Sequence, residues 1–270
     1  MPDYVAHGLT IRSDIPLAGL ENWAGAIADF GVIVRRSNLP VSLDCAEKVG
    51  QLYLAAPGQV LTRVPGIGRM LVTDGRHITY EPAVGCSPED LSAHVLSTGL
   101  ATIHQQRGNV VLHGASLCRA GRAYLLCGKS GAGKSTTTAH LLANGGKTLG
   151  DDVAAIGDAP DFLVHPGPRS AKLTDNALAD LPALRGMVTK RRCASGKCII
   201  PTDHAFADGP LPLGGVIVLE RRDVAAVSVE RVSASQAIAL LQAHSFRKRF
   251  ITRSNLSALL AKWALLAHPR

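Results

Sequence analysis

The run Gly128-Lys129-Ser130-Gly131-Ala132-Gly133-Lys134-Ser135 satisfies the pattern G-x-x-x-x-G-K-[ST]. Glycines at this spacing let the backbone curl until successive N–H groups point inward, and a following helix adds the partial positive charge of its N-terminus. Together they suit a polyphosphate. Lys134 has the reach for the β- and γ-phosphates, and the Ser135 hydroxyl suits Mg²⁺. The apolar segment AYLLC before the run and the helix-like STTTAHLLA after it supply the strand and helix that the motif requires. A glycine-rich turn that only joins strand to helix is the alternative reading.

Two further positions bear chemistry. Asp151-Asp152 follow the segment KTLG, where a short neighbour of the loop strand is expected to end. Carboxylates at such a strand end face the nucleotide crevice of an open α/β sheet. One suits Mg²⁺, directly or through water, and the other suits accepting a proton from an attacking hydroxyl. Paired aspartates also serve turns and helix caps, so both readings stand. His113 is expected to end the strand VVLHG that precedes the loop strand; it is either a phosphate contact or a hydrogen-bonded structural residue.

The elements that must position these residues fall into two modules. Residues 1–86 read as a small antiparallel β-rich module, with segments YVAHGLTI, GVIVRRS, QLYLAA, QVLTRV, RMLVTD and RHITYE punctuated by Pro-Gly and Asp-Gly turns. Ser87-Pro88-Glu89-Asp90 then has the chemistry of a helix start, and Leu91, Val95, Leu96, Leu100 and Ile103 continue at helical spacing. Residues 87–270 alternate strand, glycine loop, helix and strand, which predicts a βαβ unit in an at least partly parallel sheet. A strand at residues 215–220 and helices at 233–244 and 255–266 complete the expectation.

Composition narrows the partners. At 46% apolar the chain can build a core, and with only 4% aromatic residues it lacks platforms for stacking nucleic-acid bases. A net charge of +8 favours acidic ligands, among them nucleotides and acidic peptides. The basic runs Lys190-Arg191-Arg192 and Arg247-Lys248-Arg249 read as solvated surface, so no nucleic-acid partner is expected. The six cysteines show no paired zinc spacing and read as reduced thiols of a cytoplasmic protein; Cys193 and Cys198 with His165 or His204 are the one metal alternative. No apolar stretch reads as a signal peptide or a membrane span.

VLHG at residues 111–114, GKSGAGKST at 128–136 and LGDD at 149–152 together resemble the catalytic domain of the HPr kinase/phosphorylase family. The resemblance covers roughly residues 105–245. The opening AHGLTIRSDIPLAGL, PGPR at 166–169, and KCIIP before PLGGVIVLE are similar to one branch, the serine kinases associated with lasso-peptide biosynthesis. The resemblance implies an α/β P-loop domain that transfers a phosphoryl group from ATP with Mg²⁺ to a serine of a peptide or small protein, here a lasso-peptide precursor. It implies that Thr136 joins the loop's nucleotide contacts and that His113 lies by the phosphates. It makes Asp151 and Asp152 the base and the metal contact, in an order left open. It implies a basic phosphate contact before the later apolar segment, for which Lys197 is the candidate and Arg169 the weaker one. HPr kinases are hexamers, which leaves a homo-oligomer open. The segment that marks bifunctional HPr kinase/phosphorylases has no copy here, so reverse phosphorolysis is not expected. A small-molecule kinase and a nucleotide-binding switch remain the alternatives, although the chain has neither an N-K-x-D guanine motif nor an LSGGQ-like signature.

Overall fold

Alternation of buried and outward side chains organises the N-terminal region of the computed structural model, which describes residues 1–21, 31–179, 181–188, 196–223 and 226–267. Strands β1 (Asp3–Ala6) and β2 (Leu9–Ser13) form a hairpin about His7-Gly8, with Leu9, Ile11 and Ser13 buried and Thr10 and Arg12 turned away. β3 (Val32–Arg36), β4 (Lys48–Gly50), β5 (Tyr53–Ala56), β6 (Gln59–Val64), β7 (Gly68–Thr73) and β8 (His77–Pro82) complete an eight-stranded sheet in the order β1-β2-β3-β8-β7-β6-β5-β4. The sheet is mixed rather than antiparallel, because β3 runs parallel to both β2 and β8. A parallel pair cannot be joined by a tight turn. The long connection 14–31 and the β4–β7 meander supply the two crossovers.

Ser87 caps the next helix as its residue type suggests: its Oγ accepts the Asp90 N–H at 3.1 Å, with Pro88 in the first turn. α1 (Pro88–His94) and α2 (Leu100–Gln106) are joined by a π turn at Val95–Gly99. Leu91, Val95, Leu96, Leu100 and Ile103 pack on the sheet against Ile11, Val34, Met70, Val72 and Ile78. At roughly 1.5–3 kcal/mol for each buried Leu, Ile or Val, this contact outweighs any intrinsic helix propensity. Ala101 instead joins Val111, Val153, Ala155 and Phe246. The helical segment is therefore shared between the cores of both halves.

The second half contains β9 (Val110–Arg119), β10 (Arg122–Gly128), α3 (Lys134–Ala143), β11 (Lys147–Gly150), β12 (Val153–Ile156), β13 (Leu163–Val164), β14 (Ser170–Leu173), α4 (Asp175–Leu178), α5 (Pro182–Arg185), β15 (Cys198–Pro201), β16 (Leu211–Leu219), α6 (Ala234–His244) and α7 (Arg253–Ala267). The chain is thus mixed α/β. β10 and β16 are parallel, as a partly parallel sheet requires, while β9 is antiparallel to β10, β11 and β12. Because β9 pairs with β10 and β11 through the same residues, those two strands lie on its opposite edges and run parallel to each other. The strand-helix-strand unit around α3 therefore steps over an antiparallel neighbour. β13 bridges β12 to the start of β16 and closes the ring. Leu112, Leu125, Cys127, Leu149, Ile156 and Trp263 fill its core. The antiparallel β14–β15 pair packs with α3, α4 and α5 in a separate cluster.

Lys190-Arg191-Arg192 and Cys193, with the metal pairing considered for it, lie outside the described residues. No disulfide joins the described cysteines. Among the described residues, no helix is long and apolar enough to cross a membrane.

Candidate functional site

The glycine-rich loop leaves β10 at Gly128 and enters α3 at Lys134. Gly131 and Gly133 have φ of 82° and 101°, where a side chain costs roughly 1–2 kcal/mol, so the loop's shape depends on glycine there. Gly133 is also the N-cap of α3, and no side chain takes up the N–H groups of the first turn. Lys134 bends back over the loop, its Nζ donating to the carbonyls of Gly128 at 2.5 Å and Lys129 at 3.1 Å. Burial lowers its pKa, the nearby Lys197 charge adds to this, and Asp151 and Asp152 oppose it. Lys129, Ser130 and Gly131 are exposed at the loop's outer edge, Ala132 and Ser135 are half-buried, and Thr136 is exposed on α3.

Asp151 and Asp152 occupy a break in a ladder rather than a strand end beside the loop strand. β11 and β12 follow one another along β9; the register slips at Leu149 and pairing resumes at Val153 opposite His113. His113 is likewise not terminal. β9 runs on through Gly114 to Arg119, and His113 stands where β9 exchanges its β12 partner for β10. Both expectations failed because the neighbour of KTLG is β9 and not β10, which no local pattern reveals. Asp152 has φ 79°, a left-handed conformation that a non-glycine residue holds only when its surroundings impose it.

Those surroundings are specific. Asp152 Oδ1 lies 3.2 Å from His113 Nδ1 and its Oδ2 accepts from Lys172 Nζ at 3.0 Å; the Asp152 carbonyl is 3.0 Å from the same imidazole nitrogen. Asp151 instead accepts backbone N–H groups, from Asp152 at 2.9 Å and from Lys172 at 2.8 Å. The two carboxyls are driven apart. Burial raises the Asp151 pKa, and the Asp152 charge adds to this against the Lys172 hydrogen bond. Burial also works to raise Asp152, but His113 and Lys172 outweigh it and hold that carboxyl below the ordinary range. Neighbouring carboxyls with opposed shifts suit different roles at one site.

Two cavities meet at this pair. A cleft of about 1150 Å³ is lined by loop residues 128–132, His113, Asp152, residues 218–221 of β16 and beyond, and residues 243–249. A smaller cavity of about 370 Å³ lies on the other side, between α1, the 18–21 segment and the β14–β15 pair. Asp152 and Ser97 line both, whereas Asp151 lines the smaller one alone.

No protein-family model matches this chain, and no curated protein matches it significantly.

What the site can do must follow from its own residues. Arg247, Lys248 and Arg249 were expected on solvated surface; they are exposed, but they form a wall of the larger cleft. Phe246 holds them there. Its N–H donates to the Val111 carbonyl at 2.8 Å, its ring is 5.7 Å from that of His113, and the Arg247 guanidinium lies 5.5 Å from the ring centroid. Phe250 anchors the other end against Ala55 and Val60. A basic triplet between two apolar aromatics was the available signal for a pinned run. Lys172 carried none, because only the fold brings β14 to Asp152. Lys197 is close enough for its charge to act on Lys134 and Asp151. Arg169 is elsewhere: it lines the smaller cavity and pairs with Glu21 at 3.4 Å and Asp203 at 3.8 Å.

Among the described residues, no group of three or more His, Cys, Asp and Glu side chains is placed to hold a metal ion. Mg²⁺ does not need one, since it commonly takes one or two protein oxygens, waters and the phosphates of a bound nucleotide. The Asp152 carboxylate, on a residue that lines the loop's cleft, and the Ser135 hydroxyl in the first turn of α3 are oxygen donors of the kind that pattern needs.

Proposed function

We propose that this chain is an ATP-dependent serine kinase of the HPr-kinase-like P-loop type, acting on a peptide or small protein. The observation that carries the proposal is the position of Asp152, which lines both the cleft of the glycine-rich loop and the smaller cavity. A donor and an acceptor can therefore approach one point from opposite sides. The narrower resemblance makes a lasso-peptide precursor the proposed acceptor. Contact between the two segments that carry it supports this: the His7 N–H donates to the Pro166 carbonyl at 2.7 Å, and the Arg169 N–H to the Gly19 carbonyl at 3.0 Å.

In this reading the triphosphate lies on the loop N–H groups and the first turn of α3. Lys134 gives up its two loop carbonyls for phosphate oxygens, while His113 and the 247–249 cations face the remaining charge. Mg²⁺ held by Asp152 and Ser135 would neutralise charge on the β- and γ-phosphate oxygens. Asp151, with its raised proton affinity and its place on the smaller cavity, is the better base; each of its oxygens keeps a lone pair beyond the backbone N–H it accepts. The acceptor oxygen bonds to the γ-phosphorus, its proton passes to Asp151, and the bond to the β-phosphate oxygen breaks with its electrons staying on ADP. Positioning and charge neutralisation supply most of the rate, and the base adds about 10²–10⁴-fold.

Asp151→Asn and Asp152→Asn test the division of labour. Asp151→Asn should lose transfer while binding Mg-ATP, and Asp152→Asn should lose the Mg²⁺ dependence of ATP binding. Full transfer activity in both variants would refute the assignment.

A further inference from the structure

We infer that the smaller cavity is the acceptor site, and that it selects a hydroxyl beside a cationic side chain: a serine next to lysine or arginine in a peptide. This rests on the kinase reading above and gives that site its second substrate. The cavity's floor is Asp151, Asp152 and Val153, so a hydroxyl at its inner end reaches the acidic pair from the side opposite the loop. Its walls come from both halves of the chain: Ala18, Gly19 and Leu20 from the N-terminal module, Ala93, Leu96 and Ser97 from the shared helical segment, and Ile199 and Pro201 from β15. The N-terminal module would then bind substrate through this cavity.

Charge separates the two sides. Among the described residues the smaller cavity is lined by six carboxylates against two cations, Arg169 and Lys172, and both cations are paired with carboxylates of that same lining. The larger cleft carries Lys129, Arg221, Arg247, Lys248 and Arg249 against Asp152 and Glu220. A triphosphate is therefore repelled from one side and drawn to the other, and the reverse holds for a cationic acceptor.

His7 supplies an independent sign of a ligand. It lines the cavity, is 2% exposed, and among the described residues neither of its ring nitrogens has a hydrogen-bond partner. The Cε1 edge of the ring, with both nitrogens beside it, abuts Gly167, where any Cβ would overlap it, and the His7 backbone holds a φ of 51°. Burial lowers its pKa to about 4, so the imidazole is neutral and offers one donor and one acceptor. Buried polar atoms are rarely left without partners. The backbone N–H and C=O of an entering peptide match what this ring lacks.

The experiment is a steady-state phosphotransfer assay with Mg-ATP and three synthetic peptides, identical except for Lys, Gln or Glu beside a single serine. kcat/KM should fall from Lys to Gln to Glu, by at least tenfold overall. In Ala93→Trp, which puts an indole into the cavity, the KM for the Lys peptide should rise tenfold or more; the KM for ATP in the same assay reports whether the fold survives. Transfer at equal rates to all three peptides, with the Ala93→Trp peptide KM unmoved, overturns the acceptor site and leaves the kinase standing. ATP bound or hydrolysed with no phosphate on any peptide removes the kinase reading and this inference with it. Should Ala93→Trp fail to fold, the charge series on the unaltered protein decides alone.

Discussion

Lys134→Met should weaken ATP binding by about 10- to 150-fold. In the free protein its ammonium already donates to two carbonyls of its own loop, at 2.5 and 3.1 Å. Binding a triphosphate therefore exchanges partners and does not create bonds from nothing. Charge-assisted bonds to ionised oxygen are roughly twice as strong as bonds to neutral acceptors, and a bond to a charged group contributes about 1.5–3 kcal/mol. The net gain from two exchanged bonds is then about 1.5–3 kcal/mol, which at about 1.4 kcal/mol per tenfold gives the stated range. Isothermal titration with ATP and Mg²⁺ reads the affinity, and thermal unfolding without nucleotide reads the loop. Losing two loop bonds should lower Tm by only a few degrees, at roughly 2–4 °C per kcal/mol for a chain near this size. A dissociation constant within threefold of the unaltered protein, in a folded variant, would refute the phosphate role of Lys134.

Gly133→Ala places a Cβ at φ 101° and should cost about 1–2 kcal/mol in urea unfolding, with a matching loss of ATP affinity. Asp152 governs acid stability: its folded pKa is below the ordinary 3.8, so its contribution is present above that value and is lost as pH falls through the folded pKa. The urea midpoint should accordingly drop below about pH 4, and Lys172→Met, which removes the cation 3.0 Å from Asp152, should flatten that dependence. Arg247→Ala with Arg249→Ala should weaken ATP binding more steeply at low than at high salt, because exposed charges are screened within about 10 Å at 0.1 M. An affinity loss independent of salt would place the pair outside the nucleotide's field. Gly167→Ala should displace the His7 ring and cost about 1–3 kcal/mol by overpacking, read by thermal unfolding.

Much of the site was legible where chemistry is local. The loop, the helix after it and the Ser87 cap are contiguous in sequence, and their residue types demand the shapes they take. His113, Asp151 and Asp152 were visible as candidates, yet their placement was misjudged, since strand order is a long-range property. Apolar runs such as VVLHG and KTLG do not say which strand lies next to which. Lys172 stayed hidden for the same reason: one lysine in SAKL is ordinary until the fold brings β14 against Asp152. The basic triplet is exposed as its charge suggests, but its place on the cleft wall was not legible from charge alone, since Phe246 and Phe250, buried on either side, pin it there. In the N-terminal module the strands were readable from alternation, but not the parallel pairs around β3, whose partner β8 is distant in sequence.

The central claim is that the loop and the aspartate pair jointly pass a phosphoryl group to a serine. Mass spectrometry of a serine peptide incubated with the protein, Mg²⁺ and ATP tests it most directly. The account predicts a gain of about 80 Da on the serine, absent with Asp151→Asn. ATP turned over to ADP with the peptide mass unchanged, at every peptide charge tried, would contradict it.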